Sequence, residues 1–130
     1  MTITLGARSL ERLQGVHPDL VKIVLRAAEI SPLDFTVLEG LRTLKRQQEL
    51  FAAGASKTMK SRHLHGFAVD LGAVINGEVR WDWPLYHKLA RIMKQAAADV
   101  GVPLECGADW KKFPDGPHFQ LPNSKYPDPS

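Results

Sequence analysis

The sequence predicts an α+β domain, a small antiparallel sheet with helices packed against it, and three observations carry this reading. Short runs rich in β-branched and aromatic residues, FTVLEG, FAVDLGAVI, VPLECG and HFQLP, sit among Gly and Pro punctuation. The pair Asn76-Gly77 separates FAVDLGAVI from EVRW, a strong signal for a two-residue hairpin. Longer segments between these runs repeat their apolar residues at helical spacing. Helices and an antiparallel sheet must then share one core.

In chain order, Ser9 is positioned to cap a short helix through Leu13, and Pro18 opens a second helix with Leu20, Val21, Val24, Leu25 and Ala28 on one face. FTVLEG reads as a strand that ends in a turn at Gly40. Thr43 can cap the helix LKRQQELFAA, which stops at Gly54. ASKTMKSRHLHG has no period and reads as a loop, followed by the hairpin FAVDLGAVI-NG-EVRW. Asp82 and Pro84 suit the start of the longest helix, whose stripe of Leu85, Leu89, Ile92, Met93, Ala96, Ala97 and Val100 ends at Gly101. VPLECG and HFQLP add two short strands, and residues from about 123 to 130 read as a loose tail of a single domain spanning 1–130.

A chain of 130 residues supports one core. No apolar stretch approaches the roughly 20 residues of a membrane helix, so no stable membrane insertion is expected. The first residues, MTITLGARSLERLQG, lack the basic and apolar regions of a secretory signal. The formal charge of +3 suits polyanionic partners, which include bacterial cell wall. Nucleic acid is not expected among them, because Lys and Arg are scattered and only KTMKSR and Lys111-Lys112 are locally dense. The single cysteine, Cys106, can form no internal disulfide and reads as a small buried strand residue.

Two segments mix histidine with carboxylate, SRHLHGFAVD at 61–70 and FPDGPHF at 113–119. His63 and Asp70 would stand roughly 23 Å apart on one extended strand, so the chain must turn between them to share a ligand. Gly66 permits that turn. Asp70 in the apolar run FAVDL is costly to bury unless it is paired or bound to a metal. His118 from a neighbouring strand completes a candidate set of three protein ligands, the open arrangement of a catalytic zinc site. His65 competes with His63 if the segment is extended, and the loop reading favours His63. Arg42 is a candidate to hold a substrate carboxylate or a developing oxyanion, or is a solvated surface arginine. Ser61 bonds the substrate or shapes the loop. Asp115, by spacing alone, reads as an ordinary turn aspartate before Gly116.

With these residues in view the chain resembles the VanY-like zinc peptidases, relatives of the D-Ala-D-Ala carboxypeptidases and of the hedgehog signalling domain. Their motif S-x-H-x-x-G-x-A-x-D stands here as Ser61, His63, Gly66, Ala68 and Asp70, and their acid three residues before a histidine as Asp115 and His118. GADWKKFPDGPHFQL and the GLR…RQ…LF…GASK run are similar to phage endolysins of the L-alanyl-D-glutamate peptidase type. The resemblance spans about residues 35 to 121. It implies that His63, Asp70 and His118 hold Zn²⁺, that Asp115 is the catalytic base, and that the substrate is the stem peptide of bacterial peptidoglycan. Asp115 departs from the Glu of the carboxypeptidase branch, which favours the endopeptidase branch. A D,D-carboxypeptidase and a zinc-bearing module without turnover are the alternatives. An endolysin of this kind is expected as a monomer, made in the host cytoplasm and admitted to the wall by a holin-type protein.

Overall fold

The computed structural model describes residues 3–56 and 61–128. Lys57 and Lys60 of the basic stretch lie outside them, as does the end of the tail after Asp128. Among the described residues four helices, α1 (Ala7–Arg12), α2 (Pro18–Ile30), α3 (Leu44–Ala52) and α4 (Trp83–Val100), accompany five strands, β1 (Asp34–Glu39), β2 (Ala68–Ile75), β3 (Glu78–Arg80), β4 (Glu105–Cys106) and β5 (His118–Gln120). The sheet is antiparallel in the order β1-β2-β5-β4, with β3 also paired to β2. The α+β architecture expected from the sequence is the one observed.

Local chemistry accounts for most boundaries. Pro18 sits in the first turn of α2, and His17 caps it by accepting from Asp19 N at 3.0 Å. Thr43 caps α3 by accepting from Arg46 N at 3.1 Å. Asn76 and Gly77 have φ of 53° and 81°, the left-handed pair that a tight hairpin needs between β2 and β3. α4 ends on Gly101 with φ 72°.

Three expectations need correction. Ser9 does not cap α1, which starts after Gly6. It is buried, and its Oγ accepts from Val37 N at 3.0 Å and lies 3.0 Å from Thr36 Oγ1. A short hydroxyl inside a six-residue helix can serve the neighbouring strand as well as its own terminus. On α2, Leu25 is 44% exposed, while Ile23 and Ala27 join Leu20, Val24 and Ala28 in the core. The buried stripe is therefore rotated from the expected one, because α4 packs on α2 and their rim is tied by Arg26 Nε to Asp99 Oδ2 at 2.9 Å. The described part of the tail is not loose. Tyr126 Oη donates to Asp19 Oδ2 at 2.7 Å, and Asp128 Oδ1 lies 2.6 Å from Arg62 Nη1.

The core positions the site. Leu20, Ile23 and Val24 of α2 meet Leu89, Met93 and Ala96 of α4 and the sheet residues Phe35, Val37, Val69, Leu71 and Phe119. Because successive strand side chains alternate, Asp70 lies opposite in direction to Val69 and Leu71, and His118 to Phe119. The apolar residues are drawn inward, and Asp70 and His118 are thereby turned together on the other face.

Tyr86 joins α4 to the hairpin. Its hydroxyl accepts from Ala73 N at 3.2 Å and donates to Arg80 O at 2.6 Å, with the residue 2% exposed. Tyr86→Phe is expected to lower stability by about 1–3 kcal/mol, because buried backbone groups lose their partner. The measurement is urea unfolding, where the midpoint should fall with the slope unchanged. An unmoved midpoint would show that water replaces the hydroxyl without loss.

Candidate metal centre

His63 lies in a one-turn 3-10 helix, Arg62–His65, capped by Ser61 Oγ, which accepts from His63 N at 3.2 Å. Arg42 N donates to His63 O at 2.9 Å and fixes the turn from outside. Gly66 ends it at φ 74°, and a Cβ there would stand 2.4 Å from Gly15 O, so no other residue fits both the conformation and the space. The chain then enters β2, where Asp70 is paired in register with Glu39 of β1 on one side and His118 of β5 on the other. The expected turn between His63 and Asp70 is thus made by a 3-10 helix and one glycine.

One ligand atom each from His63, Asp70 and His118 lies within 4.8 Å of the others. Asp70 Oδ1 is 3.3 Å from His63 Nε2 and 3.2 Å from His118 Nδ1. Two donors each about 2.0–2.1 Å from one tetrahedral ion stand about 3.3–3.4 Å apart, so these separations suit a shared ion. His65 is exposed and is not part of the group.

The remote nitrogens explain the orientation. His63 Nδ1 is 2.8 Å from Gly40 O, an acceptor only, so Nδ1 carries the proton and Nε2 keeps its lone pair. His118 Nε2 is 2.8 Å from Gln120 Oε1, which leaves Nδ1 toward Asp70. Such supporting contacts fix ring tautomers at metal sites. His63 Nε2 is buried with no hydrogen-bond partner. Its one polar neighbour among the described residues is Asp70 Oδ1 at 3.3 Å, and a cation between the carboxylate and the two imidazoles would satisfy all three. The residues present fit a metal ion.

Charge at the centre is unevenly held. Burial alone would raise the Asp70 carboxyl, but the His118 and His63 imidazoles beside it outweigh burial and hold Asp70 well below the usual carboxylate range. Burial opposes a charged His118, yet Asp70 raises its pKa overall. Asp115 is shifted the other way. Partial desolvation of its carboxyl by the cavity wall, and then the negative charge of Asp70, hold it above the ordinary value, against the lowering effect of His118, His63 and Arg42.

The group opens into a cavity of about 690 Å³ whose walls include Arg42, Ser61, Trp110, Lys112 and Asp115. Asp115 N donates to Gly107 O at 2.9 Å, and Asp115 O accepts from His118 N at 3.2 Å. A Cβ at Gly107 would lie 2.3 Å from Asp115 O, so glycine there lets the Asp115 turn approach. All six residues singled out in the sequence, His63, Asp70, His118, Asp115, Arg42 and Ser61, border this one cavity.

Arg42 is not a solvated surface arginine. Its side chain is 9% exposed, and its Nε donates to Glu39 Oε1 while its Nη1 reaches Gln47 Oε1 at 2.7 Å and Ser61 Oγ at 3.4 Å. Sequence reasoning did not single out Gln120, Gly40 or Arg62. Gln120 had a signal, since residues two apart on a strand share a face. A backbone carbonyl such as Gly40 O leaves none. Arg62 is 8% exposed and binds Leu121 O at 2.8 Å, Asn123 Oδ1 at 3.3 Å and Asp128, with its guanidinium 4.5 Å from the Phe67 ring centroid.

Two histidines and a carboxylate that open on a cavity with another acid on its wall are the layout of a metal-dependent hydrolase. Residues 1–121 match the family model described as phage L-alanyl-D-glutamate peptidase. The chain belongs to that family. It is 35% identical over 119 residues to the L-alanyl-D-glutamate peptidase of Escherichia phage T5, with 88% of this chain and 87% of that protein covered. The L-alanyl-D-glutamate peptidase of Listeria phage A118 is 33% identical over 94 residues, which are 72% of this chain and 32% of that longer protein. Among solved structures, the Serratia marcescens L-Ala D-Glu endopeptidase ChiX superposes with a TM-score of 0.89 at 48% identity, covering 94% of this chain and 92% of that one. The L-alanyl-D-glutamate peptidase type implied by the runs GADWKKFPDGPHFQL and GLR…RQ…LF…GASK is the one found.

Proposed function

We propose that this chain is a zinc-dependent endopeptidase that cleaves the L-Ala–D-Glu bond in the stem peptide of bacterial peptidoglycan. The observation that carries the reading is the convergence of buried His63 Nε2 with Asp70 Oδ1 and His118 Nδ1 within reach of one ion, in a member of this peptidase family. His63, Asp70 and His118 are the ligands. A nitrogen-rich set with one carboxylate and an open side suits Zn²⁺ better than the oxygen-only sets of Mg²⁺ or Ca²⁺. When bound there, Zn²⁺ activates water at neutral pH and polarises a scissile carbonyl.

The protein's own residues supply the rest. Asp115, ionised, accepts a proton from the attacking water and delivers it to the leaving amine of D-Glu. Its turn is tied to Gly107 and to His118, so it moves little relative to the ligands. Arg42, oriented by Glu39, Gln47 and Ser61, offers positive charge toward the developing oxyanion. Ser61 serves mainly through its cap on the His63 turn and its contact with Arg42. In a phage setting the enzyme reaches the wall from the host cytoplasm after holin-type release.

Chelator dialysis is expected to abolish hydrolysis of purified peptidoglycan, and stoichiometric Zn²⁺ to restore it. Mass spectrometry of the products should show new peptides beginning with D-Glu. Full turnover in chelator would overturn the metal mechanism, and release of terminal D-Ala alone would replace the endopeptidase by a carboxypeptidase.

A further inference from the structure

The cavity contains acidic groups at its centre, yet a glutamyl substrate brings another. D-glutamate has two carboxyl groups. When one continues the peptide, the other remains free within a few bonds of the nitrogen released on cleavage. Zn²⁺ held by Asp70 offsets the charge of that side chain, but Asp115 keeps its charge, and a substrate carboxylate brought beside it is best met by a cation outside the metal group.

Three cationic side chains among the described residues border the cavity, Arg42, Arg62 and Lys112. Arg42 is paired with Glu39 and held by Gln47. Arg62 is paired with Asp128 and turned to Leu121 O. Lys112 is exposed and makes no ion pair among the described residues. It sits on the segment between Trp110, whose ring centroid is 5.1 Å from that of His118, and Asp115. That segment meets the metal group at Trp110 and carries Asp115 at its other end, and Lys112 lines the same cavity as both.

We propose that Lys112 receives the free carboxylate of the D-glutamyl residue and sets a preference for it over the corresponding amide, D-isoglutamine. The assignment rests on the endopeptidase reading above. It also separates two cationic roles that the sequence left on Arg42 alone: the buried, paired guanidinium stays with the reacting carbonyl, and the unpaired ammonium at the rim reads the substrate. Lys111, its neighbour, does not border the cavity and provides a control with the same change of charge.

The test is kcat/KM on two stem peptides that differ only in D-Glu or D-isoglutamine, for the zinc-loaded wild type, K112M, K112R and K111M. The wild type is expected to prefer the acid about tenfold, the worth of one charge-assisted hydrogen bond. K112M should bring the ratio near unity, mainly through KM for the acid. K112R and K111M should keep it. A wild type without preference, or K112M with the wild-type ratio, overturns the assignment while leaving the endopeptidase reading intact. Loss of the ratio in K111M as well would reduce the effect to overall charge and overturn it too. A wild type that cleaves neither peptide at this bond overturns the endopeptidase reading and this assignment with it.

Discussion

Asp115→Asn should retain its zinc and its fold and lose about 100-fold or more in turnover, the usual effect of removing a general base. The amide is close to the carboxylate in size, and the contacts that hold the turn, Asp115 N to Gly107 O and His118 N to Asp115 O, are both made by backbone. Packing and ligand geometry therefore survive the change. What is lost is the ability to accept a proton, since the amide oxygen is far too weak a base. Metal content by atomic spectroscopy and hydrolysis of purified peptidoglycan should separate cleanly in this variant. Wild-type turnover would mean that another group takes the proton.

His63→Ala should behave differently, losing metal and activity together. The side chain is 2% exposed and held by Gly40 O, and among the described residues only Asp70 and His118 join it in the metal group. Asp70 and His118 alone form an incomplete site. Removing a group that only supports a ligand weakens metal binding by roughly 10–100-fold, and removing the ligand itself should exceed that. The cavity left in the turn also threatens stability, so circular dichroism must accompany the metal analysis. A folded His63→Ala protein with one equivalent of tightly held zinc would refute the ligand set.

The sequence was most legible where a single residue type decides a local conformation. Asn76-Gly77, Thr43, Pro18 and Gly101 act through their own backbone or side chain, so their neighbours hardly matter. The three-ligand group was legible as spacing and became compelling only through the two motifs, because spacing cannot say which strands are neighbours. The register of Asp70 with His118 is a tertiary fact. Ser9, Leu25 and the tail were misjudged for the same reason: each is settled by a partner far along the chain, Val37 for Ser9, α4 for the face of α2, and Asp19 and Arg62 for the tail. Arg42 shows the limit most clearly, since its burial depends on Glu39, Gln47 and Ser61 arriving from three different elements.

Arg62 and His63 are consecutive in one short turn, yet they face different tasks, one clasping residues 121–128 and the other belonging to the metal centre. Their shared backbone makes the two tasks thermodynamically linked. Detachment of residues 121–128 would free the Arg62 guanidinium, and relaxation of the turn that followed would loosen the hold on a bound ion by some factor. By reciprocity the ion must oppose that detachment by the same factor. With an ion bound as proposed, residues 121–128, remote from any reacting atom, would be a determinant of metal affinity, and the ion in turn a fastener for that segment.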